Sequence, residues 1–234
     1  MSPAPVLPPR YSVPWRKAFD DPIRERLAPG VAVLDIGSGR HPAIKPEDRP
    51  ANVRYVGLDL SSEELDAAGE GAYTETITAD ATDPVLALAG QFDLVISWQV
   101  LEHVPDLEAT IANIRNYLKP GGRFVALFSG SWSAFGVINR LLPDRIGSKI
   151  VDRTMKRTEN NVPVFPAYYD RCSYAKIVPM LDGWASARIT ALYNGARYFR
   201  FLPPLQRVYI KYENWTESSG KKNLATHYLV VAER

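Results

Sequence analysis

Apolar residues along the chain gather into short compact runs bounded by turn residues. Val31-Ala-Val-Leu-Asp-Ile36, Arg54-Tyr-Val-Gly-Leu-Asp59 and Phe92-Asp-Leu-Val-Ile-Ser97 each read as a strand buried on both faces, with a weaker strand around Tyr73 to Ile77. Between Asp106 and Leu118 the pattern changes period: Leu107, Ile111, Ile114 and Leu118 share one helical face, and Lys119-Pro120-Gly121-Gly122 stops that helix. Arg123 to Phe128 is then a further buried strand, so strand and helix alternate as a parallel sheet requires.

The flanks are less regular. Pro3, Pro5, Pro8 and Pro9 predict a disordered tail over residues 1–12, with order over 13–234 beginning at Trp15 and Phe19. Asp21-Pro22 predicts the start of a short helix that ends at Gly30, since an Asx side chain caps and proline suits the first helical position. From Ser129 to about residue 172, Trp132, Phe135, Tyr168 and Tyr169 sit among prolines and cations, the character of a lid or acceptor insert. Beyond it, Ser173 to Leu181 reads as a helix, Ser186 to Leu192 as a strand and Thr226 to Ala232 as a last strand, with a second insert over about 195–223.

With 234 residues, 46% of them apolar, the chain suffices for one sizeable α/β core. A formal charge of +2 on a chain that is 23% charged gives no reason to expect nucleic acid. Cys172 is the only cysteine, which rules out an intramolecular disulfide and a thiolate metal cluster. No run of signal-peptide type opens the sequence, and none reaches the ~20 apolar residues of a membrane span. The expected location is cytoplasmic, with a peripheral membrane contact and a homodimer left open.

In an open parallel sheet the ligand lies beyond the carboxyl ends of the strands, so the residues following each strand matter most. After the first come Asp35, Gly37, Ser38 and Gly39, where glycines let the backbone turn tightly against a ligand. Asp59, followed by Leu60, ends the second strand and is able to accept both hydroxyls of a ribose. Asp80 and Ala81 follow the third, within reach of an adenine amino group, and Ser97, Trp98 and Gln99 follow the fourth, offering carbonyls, an indole and an amide to an amino-acid moiety.

These residues resemble the class I S-adenosylmethionine methyltransferase family, through Leu34-Asp-Ile-Gly-Ser-Gly39, Gly57-Leu-Asp59, Ala79-Asp-Ala81, Phe92 to His103 and Leu118-Lys-Pro-Gly-Gly122. The resemblance implies a doubly wound, mostly parallel sheet of about seven strands with an antiparallel last strand and helices on both faces. It also implies S-adenosylmethionine as cofactor and S-adenosylhomocysteine as product. Asp35, Gly37 and Gly39 would hold the methionine end, Asp59 the ribose and Asp80 the adenine. One departure stands out: Arg40-His41-Pro42, then Pro46 and Pro50, replace the family's third glycine and long helix. A regular helix is not expected there, and Arg40, His41 or Arg16 is expected to meet the donor's carboxylate.

An oxygen acceptor must lose a proton, and His103 is the strand-end residue suited to take it; its structural alternative is a loop pin. Gln99-Val-Leu-Glu102-His103 also looks like the Glu-x-x-Glu-His of ubiquinone-pathway O-methyltransferases, but Gln99 replaces one acid, so no metal is expected. Tyr168, Tyr169, Asp170 and Arg171 are secondary acceptor-pocket candidates, and His227 reads as structural. Arg145, Lys149, Arg153 and Arg157, four apart, would form a basic stripe suited to an anionic acceptor or membrane surface, or a solvated face. From Tyr198 to Trp215 aromatic and aliphatic residues recur at helical spacing, which suits a pocket cap, a dimer face, a membrane contact or core packing. The expected reaction is methyl transfer to a small molecule, with a hydroxyl of a sugar, glycolipid precursor or secondary metabolite as acceptor. The rivals are a nicotinamide-dependent oxidoreductase, disfavoured by Pro42 and Asp35, and a non-catalytic adenosyl-binding module.

Overall fold

The fold was taken from a computed structural model, which describes residues 5–133, Val137 and 166–234. Seven strands form one sheet in the order β3-β2-β1-β4-β5-β7-β6. They are β1 (Ala32–Ile36), β2 (Arg54–Asp59), β3 (Glu75–Thr78), β4 (Phe92–Trp98), β5 (Leu118–Ser129), β6 (Ser186–Leu192) and β7 (His227–Glu233). The first five are parallel, and β7 runs antiparallel between β5 and β6.

Central strands are buried along almost their whole length, as their unbroken apolar runs require, whereas the edge strands β3 and β6 stay largely exposed or half-buried. One face carries α1 (Trp15–Arg24), whose Phe19 and Ile23 pack on Val33, Tyr55, Leu94, Ile96, Val125 and Leu127. The other carries α3 (Leu107–Tyr117), whose Leu107, Ile111 and Ile114 pack on Leu34, Ile36, Val95, Phe124 and Ala126. Asp106 caps α3 by accepting from the Ala109 N–H at 3.1 Å. Because β1 lies between β2 and β4, the chain reverses direction of travel there and opens the crevice beyond the strand tips.

Three local expectations fail for identifiable reasons. The first helix starts at Trp15 and carries Pro22 inside it, because burial of Phe19 and Ile23 outweighs the Asp21-Pro22 start signal. The helix does stop before Lys119–Gly122, but β5 begins at Leu118 and not at Arg123, pairing slips from Phe92↔Leu118 to Leu94↔Arg123 and the extra residues bulge out. The tail is ordered at its end: Pro9–Ser12 form a 3-10 turn, and Tyr11 is buried against Tyr209 and Ile210 of a C-terminal helix.

That helix, here α5 (Pro203–Ser218), occupies the second insert, preceded by a 3-10 turn at Gly195–Phe199. The other α-helices among the described residues are α2 (Ser62–Asp66) and α4 (Tyr174–Met180). Between β1 and β2 the proline-rich chain makes only a 3-10 turn at Pro46–Asp48. Phe135 and the basic series Arg145, Lys149, Arg153 and Arg157 lie outside the described residues. No described helix is long and apolar enough to cross a membrane.

Candidate active site

The turn after β1 works only with glycine. Gly37 has φ +70°, and a Cβ there would lie 2.3 Å from Cγ1 of Val100. Gly39 has φ +48°; its N–H donates to Asp59 Oδ2 at 2.9 Å, and its carbonyl accepts from the Tyr73 hydroxyl at 2.7 Å. Ser38, buried between them, lies close under Gly57, which has no Cβ and so admits the Tyr73 ring.

Asp59 therefore fastens the glycine turn to the tip of β2. Its Oδ1 accepts from the Ser61 N–H at 3.0 Å, so each carboxylate oxygen holds one backbone donor and keeps a lone pair for a ligand hydroxyl. Burial raises its pKa, opposed by these N–H groups. Leu60 beside it is exposed. Ala79 donates to the Asp59 carbonyl at 2.9 Å, joining the tips of β2 and β3. Asp80 then makes a tight turn, its Oδ1 accepting from Thr82 N at 2.9 Å and Thr82 Oγ1 at 2.8 Å, while the Ala81 carbonyl accepts from Asn113.

Asp35 is turned into the protein and bonded within it. Its carboxylate is 1% exposed, and Oδ2 accepts both the Ala43 N–H at 2.7 Å and the Tyr55 hydroxyl at 2.6 Å. Burial pushes its pKa up to about 6, against the pull of Tyr55, the Ala43 N–H, Arg49 and Arg16. Arg49 lies 3.6 Å over the Tyr55 ring and donates twice to the Ile44 carbonyl. Asp35, Tyr55 and Arg49 thus pin the 43–49 segment to the sheet, the task a regular helix would perform by packing. Tyr55 and Arg49 escaped the sequence reading; the one available signal was a phenol in a strand among apolar neighbours, two residues from Gly57.

Of the three residues expected to meet a donor carboxylate, Arg40 and Arg16 also hold partners within the chain. Arg40 holds Glu64 through Nε at 2.7 Å and Nη2 at 2.5 Å, and Ser61 caps the short α2 that carries Glu64. Arg16 pairs with Asp20, donates to the Ala43 carbonyl and lies 5.0 Å over the Trp98 ring.

At the tip of β4, the buried Ser97 donates to the Ile36 carbonyl at 3.2 Å, tying β4 to β1. The Trp98 indole turns toward α1 and meets Phe19 edge-on at 5.0 Å. Gln99 has φ +56° and donates its N–H to the Leu127 carbonyl at 2.7 Å, a left-handed kink that ends the strand. His103 follows in a 3-10 turn at Leu101–His103, with Nδ1 3.0 Å from the Pro166 carbonyl. A carbonyl only accepts, so Nδ1 carries a proton, and the neutral tautomer this selects has its lone pair on Nε2. Beside it, Glu102 is buried with Oε1 accepting from the Ser129 N–H at 3.2 Å, and burial raises its pKa while His103 lowers it.

The secondary candidates separate. Tyr168 is exposed, but Asp170 accepts from the Leu107 N–H at 3.1 Å and Arg171 pairs with Glu108, so both close the chain onto α3. Tyr169 is buried with φ +51° and donates its N–H to the Glu102 carbonyl. His227 is wholly buried under Trp15, ring centroids 3.8 Å apart, and burial depresses its pKa to about 3, so it is neutral.

A sheet of this order, with a glycine turn and carboxylates at successive strand tips, defines a Rossmann-like α/β protein. Residues 15–146 match the family described as methyltransferase domain, and the chain belongs to that family. The match sets aside a nicotinamide-dependent oxidoreductase. A ubiquinone biosynthesis O-methyltransferase of Chelativorans sp. is 32% identical over 122 residues, 50% of this chain and 48% of the relative. The chain spans about half the length of the curated relatives it matches. Geranyl diphosphate C-methyltransferase from Streptomyces coelicolor, solved with Mg2+, geranyl diphosphate and S-adenosylhomocysteine, has the same fold at a TM-score of 0.58 and 16% identity, covering 92% of this chain and 77% of its own. Phosphoethanolamine N-methyltransferase 2 of Haemonchus contortus, solved with phosphomonomethylethanolamine and S-adenosylhomocysteine, has it at 0.57 and 14%, covering 94% and 52%.

Proposed function

We propose that the protein transfers a methyl group from S-adenosylmethionine to a hydroxyl of a small molecule. The observation that carries this reading is the joint between Gly39 and Asp59: one backbone bond sets a Cβ-free turn beside a carboxylate that still has acceptor capacity. That pair fits a nucleoside, with Asp59 orienting ribose hydroxyls, the Gly37–Gly39 backbone passing close to the amino-acid portion and Asp80 lying at the adenine end. Bound there, S-adenosylmethionine supplies a methyl on a positively charged sulfur, so that a C–O bond forms as the C–S bond breaks and S-adenosylhomocysteine is left.

The chain's own work is then alignment and proton removal. His103, its Nδ1–H held by Pro166, presents Nε2 to take the proton the acceptor hydroxyl loses. An oxygen acceptor agrees with the O-methyltransferase relative, and a sugar, a glycolipid precursor or a secondary metabolite carries the required hydroxyl. Calorimetric titration with S-adenosylhomocysteine tests the reading: wild type binds, and Asp59→Ala loses about 10- to 100-fold in affinity, the worth of charged hydrogen bonds. Absence of binding to the wild type, or an unchanged affinity in the variant, rejects it.

A further inference from the structure

The outward face of α5 has no role in the reading above. Phe201, Val208 and Trp215 are 59%, 63% and 51% exposed, and Leu202 and Leu205 are exposed with them. Five of the twelve exposed large apolar side chains among the described residues therefore fall within one helix and its lead-in. They follow one side of the helix, since Leu205, Val208 and Trp215 are spaced by three and seven residues. The opposite side, through Tyr209, Ile210 and Glu213, is sealed against Tyr11 and Ala196, so the helix is fixed with its apolar stripe facing out.

Charge around this helix is mostly positive. Between Gly195 and Lys222 the sequence has six cations, Arg197, Arg200, Arg207, Lys211, Lys221 and Lys222, against two acids. Of the two acids, Glu213 is 1% exposed, while Glu217, its side chain 47% exposed, is neutralised by Arg10, which also pairs with Glu213. Lys211, on the helix surface, and Lys221, with its ammonium 5.0 Å over the Trp215 ring, border the stripe. A solvated helix face would alternate charge signs and omit the aromatics. A dimer face would gain nothing from cations at its edge facing the same cations on a second copy.

We propose that α5 is an interfacial docking helix for an anionic lipid surface. Phe201, Val208 and Trp215 enter the headgroup and acyl boundary, while Lys211 and Lys221 meet lipid phosphates. Such docking would bring this flank of the sheet against the bilayer without any segment crossing it.

Co-sedimentation of the full chain with phosphatidylcholine vesicles containing phosphatidylglycerol, and with pure phosphatidylcholine vesicles, tests the proposal. Binding is expected to the first and to be weak on the second, with salt reducing it. Val208→Glu and Trp215→Glu alter only exposed side chains and should lower partitioning at least about ten-fold. Lys211→Gln and Lys221→Gln should each lower it about five-fold on the anionic vesicles alone. Far-ultraviolet circular dichroism and an unchanged melting temperature control for folding. No sedimentation of the wild type, or full sedimentation of Val208→Glu, overturns the proposal. So does light scattering that shows a wild-type dimer which Val208→Glu dissociates while neither binds vesicles, since a second copy then covers the face.

Discussion

The Tyr55 hydroxyl donates to Asp35 Oδ2 at 2.6 Å, on the same oxygen that takes the Ala43 N–H at 2.7 Å. Tyr55 in turn accepts from the Ile44 N–H at 3.0 Å, closing a ring of bonds beneath the 43–49 segment. Pro42, Pro46 and Pro50 deny this segment a helix, and its backbone polar groups must still find partners once buried. A buried acid and phenol on neighbouring strands supply them.

Tyr55→Phe should therefore act on stability before it acts on ligand binding. The change removes a donor to Asp35 and the acceptor for Ile44, an effect of about 1–3 kcal/mol read as a lower urea midpoint. Affinity for S-adenosylhomocysteine should stay within a few-fold. An unchanged midpoint with lost affinity would return Asp35 and Tyr55 to the ligand.

The same buried acid gives stability a pH dependence of defined sign. The ordinary aspartate value is about 3.9, and burial lifts Asp35 to about 6, so the fold favours its protonated form. Its contribution is fully present below about pH 4 and is lost as pH rises through about 6, a span on the order of 3 kcal/mol. Asp35→Asn removes the titration. Across pH 4 to 7, urea midpoints should show the wild type losing stability relative to the variant; a constant difference contradicts the assignment.

His103→Asn separates proton removal from loop pinning. The asparagine amide can donate to Pro166 as Nδ1 does, but nothing replaces Nε2. Turnover should fall about 10²- to 10⁴-fold while S-adenosylhomocysteine binds as in the wild type. Wild-type turnover in this variant would reduce His103 to a loop anchor.

What the sequence made legible was whatever local chemistry decides. The runs around Leu34, Val56 and Val95 are buried on both faces and have no competing reading. Gly39 and Asp59 are twenty positions apart but hold successive strand tips, so the sheet itself brings them together. The inward bonds of Asp35 were not legible, because strand position places a residue without saying to which face its side chain turns. The pairs of Arg40 and Arg16 were not legible either, because Glu64 and Asp20 are unremarkable acids in sequence. Trp15 to Phe19 were hidden for a related reason: the helix there is selected by the apolar face of a sheet formed much later in the chain.

Gly37→Ala should damage the turn through two separable effects. The left-handed φ of +70° disfavours any Cβ, and the new methyl would overlap Val100. Together they should cost about 2–4 kcal/mol, with a matching loss of S-adenosylhomocysteine affinity. Adding Val100→Ala should relieve the overlap with the two Cγ atoms but leave both the 2.8 Å approach to Cβ and the backbone term, so the double variant should lie between the single variant and the wild type. No recovery would show that the Val100 methyls contribute nothing to the demand for glycine.

The tail offers the last prediction, because Tyr11 is joined to a carboxylate more than two hundred residues away. Its hydroxyl donates to Glu213 Oε2 and accepts from the Ala196 N–H at 2.8 Å, while Glu213 Oε1 takes the Gly195 N–H at 2.6 Å and the Thr226 hydroxyl at 3.1 Å. Burial and the Glu213 charge both push the Tyr11 phenol up, which keeps it protonated and donating. Tyr11→Phe should destabilise the protein by about 1.5–3 kcal/mol, the worth of a hydrogen bond to a buried charge. Removal of residues 1–12 should destabilise it further, because Arg10 leaves as well and the buried carboxylate loses that ion pair. Hydrogen exchange places the effect: protection should fall between Gly195 and Thr216 and hold across β1, β4 and β5. Uniform loss across the sheet would mean the tail supports the whole core, and no loss would mean that α5 keeps its seat without it.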